Sequence, residues 1–106
     1  MRVAGFDWDA GNLAKCQKHG VSIAEIEALF RGEPAVHADP AHSLTEQRLR
    51  AIGRTAAGRW LLVAFTLRRR ASGVWLRPIS ARYMHAKEVR RYERTQAEEA
   101  SGPPDR

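Results

Sequence analysis

The sequence contains a single cysteine, Cys16, and no set of cysteine and histidine residues at metal-ligand spacing. A lone thiol cannot form a disulfide within the chain, and a structural zinc site needs about four such ligands close together. The sequence therefore excludes a disulfide-stabilised scaffold and a zinc fold, and a location in the reducing cytoplasm fits best. We expect neither a bound metal nor another cofactor.

Long hydrophobic runs are absent as well. No stretch approaches the roughly 20 apolar residues of a membrane span, and residues 1–9 lack the apolar run of a signal peptide. The 106 residues, of which 43% are hydrophobic, suit one core rather than two. We expect no membrane association and one domain over residues 1–95. Residues 96–106, without apolar periodicity and with Ser, Gly and Pro at 101–104, are predicted to form a disordered tail.

Acidic residues are scarce in one part of the chain, and this imbalance produces the net charge of +6. Residues 67–94 hold nine Lys and Arg against two Asp and Glu, whereas residues 1–66 hold eight against seven and residues 95–106 one against three. A positive field of this kind attracts phosphate backbones. Charge alone leaves two interpretations open, since a solvated basic face would have the same composition.

Two helices are predicted at the N-terminus. Asp9 can cap a first helix, which ends at Gly20. Ser22 and Glu25 form the capping box of a second helix, whose apolar stripe ends near Gly32. The short aromatic segment before Asp9 is assigned to neither helix.

About four antiparallel strands are predicted after the helices, at residues 35–38, 48–52, 60–67 and 74–80, with turns at 56–59 and 68–73. Residues 60–67 are nearly all apolar, which indicates a central strand covered on both faces. Pro78 cannot donate a hydrogen bond to a neighbouring strand. It therefore predicts an edge position, a bulge or the end of its strand.

A third helix closes the predicted domain, because Val89 and Tyr92 recur at helical spacing with basic residues on the other side. The order of elements predicts an α+β fold with two N-terminal helices, a small antiparallel sheet and a C-terminal helix. The basic residues of 67–94 would then lie on the last strand and the last helix.

A set of spaced motifs runs through roughly residues 6–93. The motifs are F-D-W-D (6–9), N-L (12–13), K-H-G-V-S (18–22), A-I-G-R (51–54), I-S-A-R (79–82), Glu88 and R-Y-E (91–93). In this order they resemble the BrnT family of toxins from bacterial type II toxin-antitoxin systems. The sequence departs from the usual family pattern at two places: Pro78 stands in place of an aliphatic residue, and Met84-His85 in place of a small residue followed by Thr.

The resemblance implies a RelE-like ribonuclease fold and a metal-independent endoribonuclease that arrests translation. It also implies a cognate ribbon-helix-helix antitoxin, similar to BrnA, that caps the toxin. Operator DNA would be bound through this antitoxin.

Cleavage of RNA without a metal needs a proton acceptor, a proton donor and cations near the phosphate, and it yields a 2′,3′-cyclic phosphate. Arginine suits the last role because its planar group can hold two phosphate oxygens. Arg82, between the last strand and the last helix, is the first candidate, and Arg54, at the end of an earlier strand, is the second. A structural ion pair is the alternative role for each.

Glu88 and His19 are the candidates for proton transfer. Glu88 lies close to Arg82 in the sequence, and basic neighbours could keep it ionised. An ordinary intrahelical pair with Arg91 or Tyr92 would explain Glu88 equally well. The imidazole of His19 can exchange protons near neutral pH, yet at the end of the first helix it could instead stabilise the helix terminus.

Other basic and aromatic residues are candidates for RNA binding. A solvated face is the alternative for the basic ones, which are Lys18, Arg77, Lys87, Arg90, Arg91 and Arg94. Trp75 could face RNA or a partner, whereas Trp8 and Trp60 suit the core. His37 and His42 have no spacing typical of a metal or catalytic site and are assigned to a surface loop.

Two functions from different classes stay open. The leading hypothesis is an endoribonuclease toxin that an antitoxin neutralises. The alternative is a non-catalytic basic module that binds nucleic acid or the antitoxin and acts in transcriptional autoregulation. The alternative predicts salt-sensitive binding without turnover.

Overall fold

The computed structural model of the protein describes residues 2–100. Over these residues the elements are β1 (Gly5–Phe6), α1 (Ala10–Gln17), α2 (Ile23–Arg31), β2 (Ala35–Ala38), β3 (Leu49–Arg54), β4 (Trp60–Arg70), β5 (Gly73–Tyr83) and α3 (Ala86–Ala100). A short 3-10 turn, Pro40–His42, lies between β2 and β3. The predicted α+β class is confirmed, with five strands in the described part of the chain where about four were predicted.

α1 and α2 begin at the predicted caps. Asp9 accepts a hydrogen bond from the backbone N–H of Asn12, whose side chain accepts one from the backbone N–H of Asp9. Ser22 and Glu25 form the same reciprocal pair at the start of α2. Gly20, between the helices, has a φ of +85°, a conformation that glycine adopts without strain. Local side-chain chemistry thus determines where both helices begin.

The strands form one sheet in the order β1-β5-β4-β3-β2, in which β4 is central. β1 runs parallel to β5, and the other neighbours are antiparallel. The sequence pattern missed β1 because its two residues are too few to show a period. β4 and β5 also continue through much of the predicted turn at 68–73, since the chain reverses only at residues 71–72. Exposed arginines at 68–70 conceal this end of β4 in the sequence.

The main core lies between the sheet and the layer formed by α1 and α2. Cys16 of α1 and Ile26 and Phe30 of α2 are buried there with Val63 and Phe65 of β4. The rings of Phe30 and Phe65 meet edge-on with 4.9 Å between centroids, a favourable geometry for aromatic pairs. The predicted role of β4 as the central core strand is confirmed.

Pro78 lies at a β-bulge, one of the three places that its missing N–H allowed. Phe65 of β4 pairs with Pro78 and Ala64 pairs with Ser80, so Ile79 is an extra residue in β5. The bulge tolerates proline because the ladder of hydrogen bonds is interrupted there. Side chains alternate along a strand, so the extra residue reverses which face the later residues occupy.

β5 therefore presents Leu76 and Ala81 to the main core but Arg82 to the opposite face of the sheet. α3 lies over this opposite face, where it borders a cleft together with Ile52 and Leu62. No residue of α3 from 86 to 100 is fully buried. The helix is thus attached by a few specific contacts rather than by a large apolar surface.

α3 extends to Ala100, so residues 96–100, predicted as the start of a disordered tail, are helical. The sequence pattern missed them because residues 97–100 are exposed and carry no apolar period. The rest of that predicted tail, residues 101–106, lies outside the described residues. No helix within residues 2–100 is long and apolar enough to cross a membrane.

Candidate active site

Arg82, at the end of β5, and Glu88, in the first turn of α3, form a bidentate ion pair. The guanidinium nitrogens Nη1 and Nη2 donate to the carboxylate oxygens Oε1 and Oε2, each at 2.8 Å. The hydrogen bonds from Arg82 hold the pKa of Glu88 below its usual range, and Glu88 in turn raises the pKa of Arg82. Both groups are therefore charged at neutral pH. Glu88 faces Arg82 and not Arg91 or Tyr92, the intrahelical partners considered from the sequence.

The ion pair is open to solvent. The exposed fraction is 42% for the Arg82 side chain and 31% for the Glu88 side chain. A pair of this exposure stabilises a fold by only about 0–1 kcal/mol. The same arginine geometry suits two phosphate oxygens. Replacing the carboxylate by a phosphate at Arg82 is therefore energetically accessible.

A cleft of about 370 Å³, here termed the α3 cleft, lies between α3 and the sheet. Its lining residues are His37, Arg50, Ile52, Leu62, Met84, Glu88, Arg91, Tyr92, Thr95, Gln96 and Glu99. A second cavity, of about 550 Å³, is lined by Arg82, His85, Lys87, Glu88 and Arg91. The two cavities therefore adjoin at Glu88 and Arg91, and the Arg82–Glu88 pair stands at this boundary.

His37 and Tyr92 connect β2 to α3 inside the α3 cleft. The His37 Nε2 atom and the Tyr92 hydroxyl lie 2.9 Å apart, and the two rings meet edge-on at 5.5 Å. The assignment of His37 to a surface loop was wrong, because it lies half-buried on β2, paired with Arg50 of β3. No local pattern could show a contact between residues 55 positions apart. His42 is exposed in the 3-10 turn and bonds to Asp39 at 3.0 Å.

Arg54, the second arginine candidate, lies at the end of β3 with its guanidinium 5.0 Å from the ring centre of Trp60. Trp60 meets Tyr92 edge-on at 6.0 Å, and all three residues line another cavity, of about 360 Å³. Arg54 is thus connected to the α3 cleft through aromatic rings and not through Arg82 or Glu88. Trp60, which suited the core by its sequence, lies on the α3 side of the sheet.

His19 and Lys18 are exposed in the turn that follows α1. α1 packs on the face of the sheet opposite α3, since its buried Cys16 belongs to the main core. The structure therefore does not bring His19 or Lys18 to the Arg82–Glu88 pair.

The basic residues of α3 divide between cavities. Lys87 and Arg91 line the cavity that contains Arg82, whereas Arg90 lines one with Arg59 and Trp60. Arg94, about one turn beyond Arg90, is exposed. A continuous basic helix surface therefore borders the ion pair.

Arg77 and Trp75 lie in the first half of β5, before the bulge, and both are held by other side chains. Only 18% of the Arg77 side chain is exposed, and its Nη2 lies 2.9 Å from a carboxylate oxygen of Asp9. The indole N–H of Trp75 donates to Ser72, and the Arg70 guanidinium lies 5.0 Å from its ring centre. Neither residue lines a cavity that Glu88 lines.

Within residues 2–100, no three His, Cys, Asp or Glu side chains come together in a group that could hold a metal ion. Cys16 is buried in the main core, and burial raises the pKa of its thiol to about 11. Its thiolate is therefore scarce at neutral pH, which makes Cys16 a packing residue and not a nucleophile.

One family model matches residues 8–88, and it is described as "Ribonuclease toxin, BrnT, of type II toxin-antitoxin system". None of the curated proteins is similar enough in sequence to match. The matched range runs from Trp8 to Glu88 and so includes Arg82 and the start of α3. The resemblance carried by the spaced motifs is confirmed, and the description implies an RNA substrate and an antitoxin partner. The chain therefore belongs to the BrnT family of ribonuclease toxins of type II toxin-antitoxin systems.

Proposed function

We propose that the protein is an endoribonuclease that needs no metal ion and cleaves RNA where the two cavities adjoin. The observation that carries the proposal is the solvent-open bidentate contact between Arg82 and Glu88. RNA supplies its own nucleophile, the 2′-hydroxyl. The protein must then supply a proton acceptor and a cation for the developing charge, and Glu88 and Arg82 are groups of these two kinds.

Arg82 exchanges Glu88 for the scissile phosphate when RNA binds, because its planar group fits two phosphate oxygens as it fits two carboxylate oxygens. The exchange frees the Glu88 carboxylate, which accepts the proton of the 2′-hydroxyl. The bond from O2′ to phosphorus forms while the bond from phosphorus to O5′ breaks. The products are a 2′,3′-cyclic phosphate and a 5′-hydroxyl, and Arg82 stabilises the charge on the non-bridging oxygens.

Basic residues along α3 position the RNA backbone by contacts with phosphates, which give affinity without sequence preference. These residues are Lys87, Arg90, Arg91 and Arg94. Arg54 over Trp60 offers a place beside the α3 cleft where a base can stack. The roles expected of Lys18, His19 and Arg77 stay predictions, and they have less support because none of the three lines either of the two adjoining cavities.

We also propose that the antitoxin is a ribbon-helix-helix protein similar to BrnA, and that the toxin reaches operator DNA through it. Family membership supports this proposal. The excess of basic residues over 67–94 supports it as well, because an acidic segment of a partner would complement that charge. Toxin released from the antitoxin would then arrest translation in the cytoplasm by cutting RNA.

One observation favours a second candidate function. Arg82 bonds to both carboxylate oxygens of Glu88, a geometry that a structural ion pair also has. A protein in which this pair never opens would be a non-catalytic module that binds nucleic acid or the antitoxin. It would act in transcriptional autoregulation, and its binding would be sensitive to salt.

The deciding experiment is cleavage of RNA in EDTA by the folded protein and by the variants Arg82→Ala and Glu88→Gln. Arg31→Ala is the matched control, because Arg31 pairs with Glu27 at 3.3 Å in the other layer of the fold. We expect cyclic-phosphate ends from the parent and the control, and rates lower by about 10²–10³-fold in the two variants. A folded parent that binds RNA but cuts none at any dose would establish the non-catalytic module.

A further inference from the structure

The contact between His37 and Tyr92 is a part of the α3 cleft that the reaction above does not use. The His37 Nε2 atom and the Tyr92 hydroxyl are 2.9 Å apart, and both residues line the same cleft as Glu88. Imidazole is a side chain that can give up a proton near neutral pH. The reaction as described still lacks the group that protonates the departing O5′ atom.

The position of His37 relative to Glu88 suits this task. Glu88 and Tyr92 are four residues apart on α3, which corresponds to about 6 Å along the helix axis. His37 therefore lies in the same cleft as Glu88 and is bonded to a residue one helical turn further along α3. An in-line displacement places the attacking and leaving oxygens on opposite sides of the phosphorus, so the proton acceptor and the proton donor must be separated by about the width of a phosphate.

We infer that His37 is the general acid of the cleavage reaction and that Tyr92 is its positioning residue, an inference that rests on the proposed function. As the bond from phosphorus to O5′ breaks, protonated His37 transfers its proton to O5′ and becomes neutral. Glu88 has meanwhile taken the proton of the 2′-hydroxyl and is neutral in turn. One proton is accepted and one is donated, so the products and the protein together keep their total charge.

Tyr92 can orient the His37 side chain because its hydroxyl bonds to only one of the two nitrogens of the imidazole ring. The Nε2–H of the protonated imidazole donates to the Tyr92 oxygen, which leaves the Nδ1–H for the substrate. The edge-on contact of Tyr92 with Trp60, at 6.0 Å, fixes the tyrosine ring in turn.

Several charged groups share the cleft with His37. Arg50 of β3 pairs with His37 across the sheet. From α3 the charged residues Glu88, Arg91 and Glu99 line the cleft, in addition to Tyr92. Each of these groups can affect a pH profile. The decisive measurement is therefore one that detects the need for a proton at the leaving group itself.

The experiment compares two short RNAs that contain a cleavage site mapped with the parent protein. One carries oxygen at the bridging 5′ position of the scissile phosphate, and the other carries sulfur, which leaves without being protonated. The variants are His37→Ala and His37→Gln, and the amide of the second can still bond to Tyr92, so it serves if the alanine variant does not fold. His42→Ala is the matched control, an exposed histidine of the 3-10 turn.

We expect both His37 variants to cut the oxygen substrate about 10²–10⁴-fold more slowly than the parent, and the sulfur substrate within about fivefold of the parent. The control should cut both like the parent. Equal slowing on both substrates, or full activity on the oxygen substrate, would overturn the role of His37 and leave the proposed function intact. A folded parent for which no cleavage site can be mapped would overturn the proposed function and this inference with it.

The positioning role of Tyr92 has its own readout. Tyr92→Phe removes the oxygen that accepts from the protonated imidazole, so the oxygen substrate should be cut more slowly than by the parent and the sulfur substrate at close to the parent rate. Tyr83→Phe is the control, because the Tyr83 hydroxyl bonds to Glu25 of α2 on the other side of the sheet. Equal slowing on both substrates in Tyr92→Phe, or no slowing on either, would assign Tyr92 to the attachment of α3 alone.

Discussion

Asn12 donates its side-chain amide to the carbonyl oxygen of Pro78 across 2.9 Å, although 66 residues separate the two in the chain. The same amide donates to the carbonyl oxygen of Asp7, and the Asn12 oxygen accepts from the backbone N–H of Asp9. Asn12 is only 4% exposed. One buried side chain therefore joins the start of α1, the segment after β1 and the bulge of β5.

Replacing Asn12 by alanine should destabilise the fold strongly. The change leaves the carbonyl groups of Asp7 and Pro78 without this donor, and an unsatisfied buried polar group costs about 1–3 kcal/mol. We expect the free energy of unfolding, measured in urea, to fall by about 2–4 kcal/mol. Gln17→Ala is the control, since Gln17 is an exposed residue of the same helix, and it should change the value by less than about 0.5 kcal/mol. Similar values for the two variants would contradict this account of Asn12.

Exchanging the charges of Arg82 and Glu88 separates their structural role from their catalytic one. The double variant Arg82→Glu, Glu88→Arg keeps an ion pair between β5 and α3 but moves the cation onto the helix. We expect its free energy of unfolding to lie within about 1 kcal/mol of the parent value. RNA cleavage should be no faster than in either single variant. Recovery of cleavage would show that the pair serves only to attach α3.

Stability below neutral pH should depend on Glu25. The Tyr83 hydroxyl donates to Glu25 at 2.6 Å, and this bond, followed by that from Ser22, lowers the pKa of the carboxyl. Such a carboxylate stabilises the fold above its unfolded-state pKa of about 4.3, and the contribution is lost as pH falls through the lower folded-state pKa. Between about pH 7 and pH 3, the parent should therefore lose about 0.5–1 kcal/mol more stability than Tyr83→Phe. Urea unfolding at the two pH values measures this difference, and equal losses would contradict it.

RNA binding should reveal which basic residues contact phosphates. The probe is an RNA with a 2′-deoxy residue at the mapped cleavage site, which binds without being cut. Lys87→Ala and Arg91→Ala should each reduce the slope of log K against log salt by about 0.7, the value for one lost contact with single-stranded nucleic acid. Arg31→Ala should leave the slope unchanged. Arg77→Ala should lower the free energy of unfolding and leave the slope unchanged, because Arg77 is already paired with Asp9.

Features set by neighbouring residues could be predicted from the sequence. The capping boxes at Asp9 and Ser22 depend on side chains three positions away, and both helices begin there. The apolar run at residues 60–67 predicted the central strand because no other segment of this length in the sequence is as apolar. Arg82 and Glu88 were selected as neighbours in the sequence, and their six-residue separation spans the junction of β5 and α3.

Features set by distant residues could not be predicted in this way. β1 is a strand only because Gly5 and Phe6 pair with β5, and two residues have no period of their own. His37 enters the cleft because the sheet register places it beside Arg50 and under α3, which no spacing in the sequence encodes. The end of α3 was missed for a different reason, since residues 97–100 are exposed and leave no apolar pattern.

The bulge at Ile79 determines where a gap belongs when the sequence of β5 is aligned with the corresponding strand of a related protein. If Ile79 occupied a regular place in the ladder, Arg82 would follow Leu76 and Pro78 onto the core face, and its charge would be buried under α1. If Ile79 is deleted, the strand becomes regular, its side chains alternate between the two faces without interruption, and Arg82 stays on the side of α3. A related strand one residue shorter can therefore keep its arginine in the same place. The gap in such an alignment belongs at Ile79, since a gap placed nearer Arg82 would equate residues from opposite faces of the sheet.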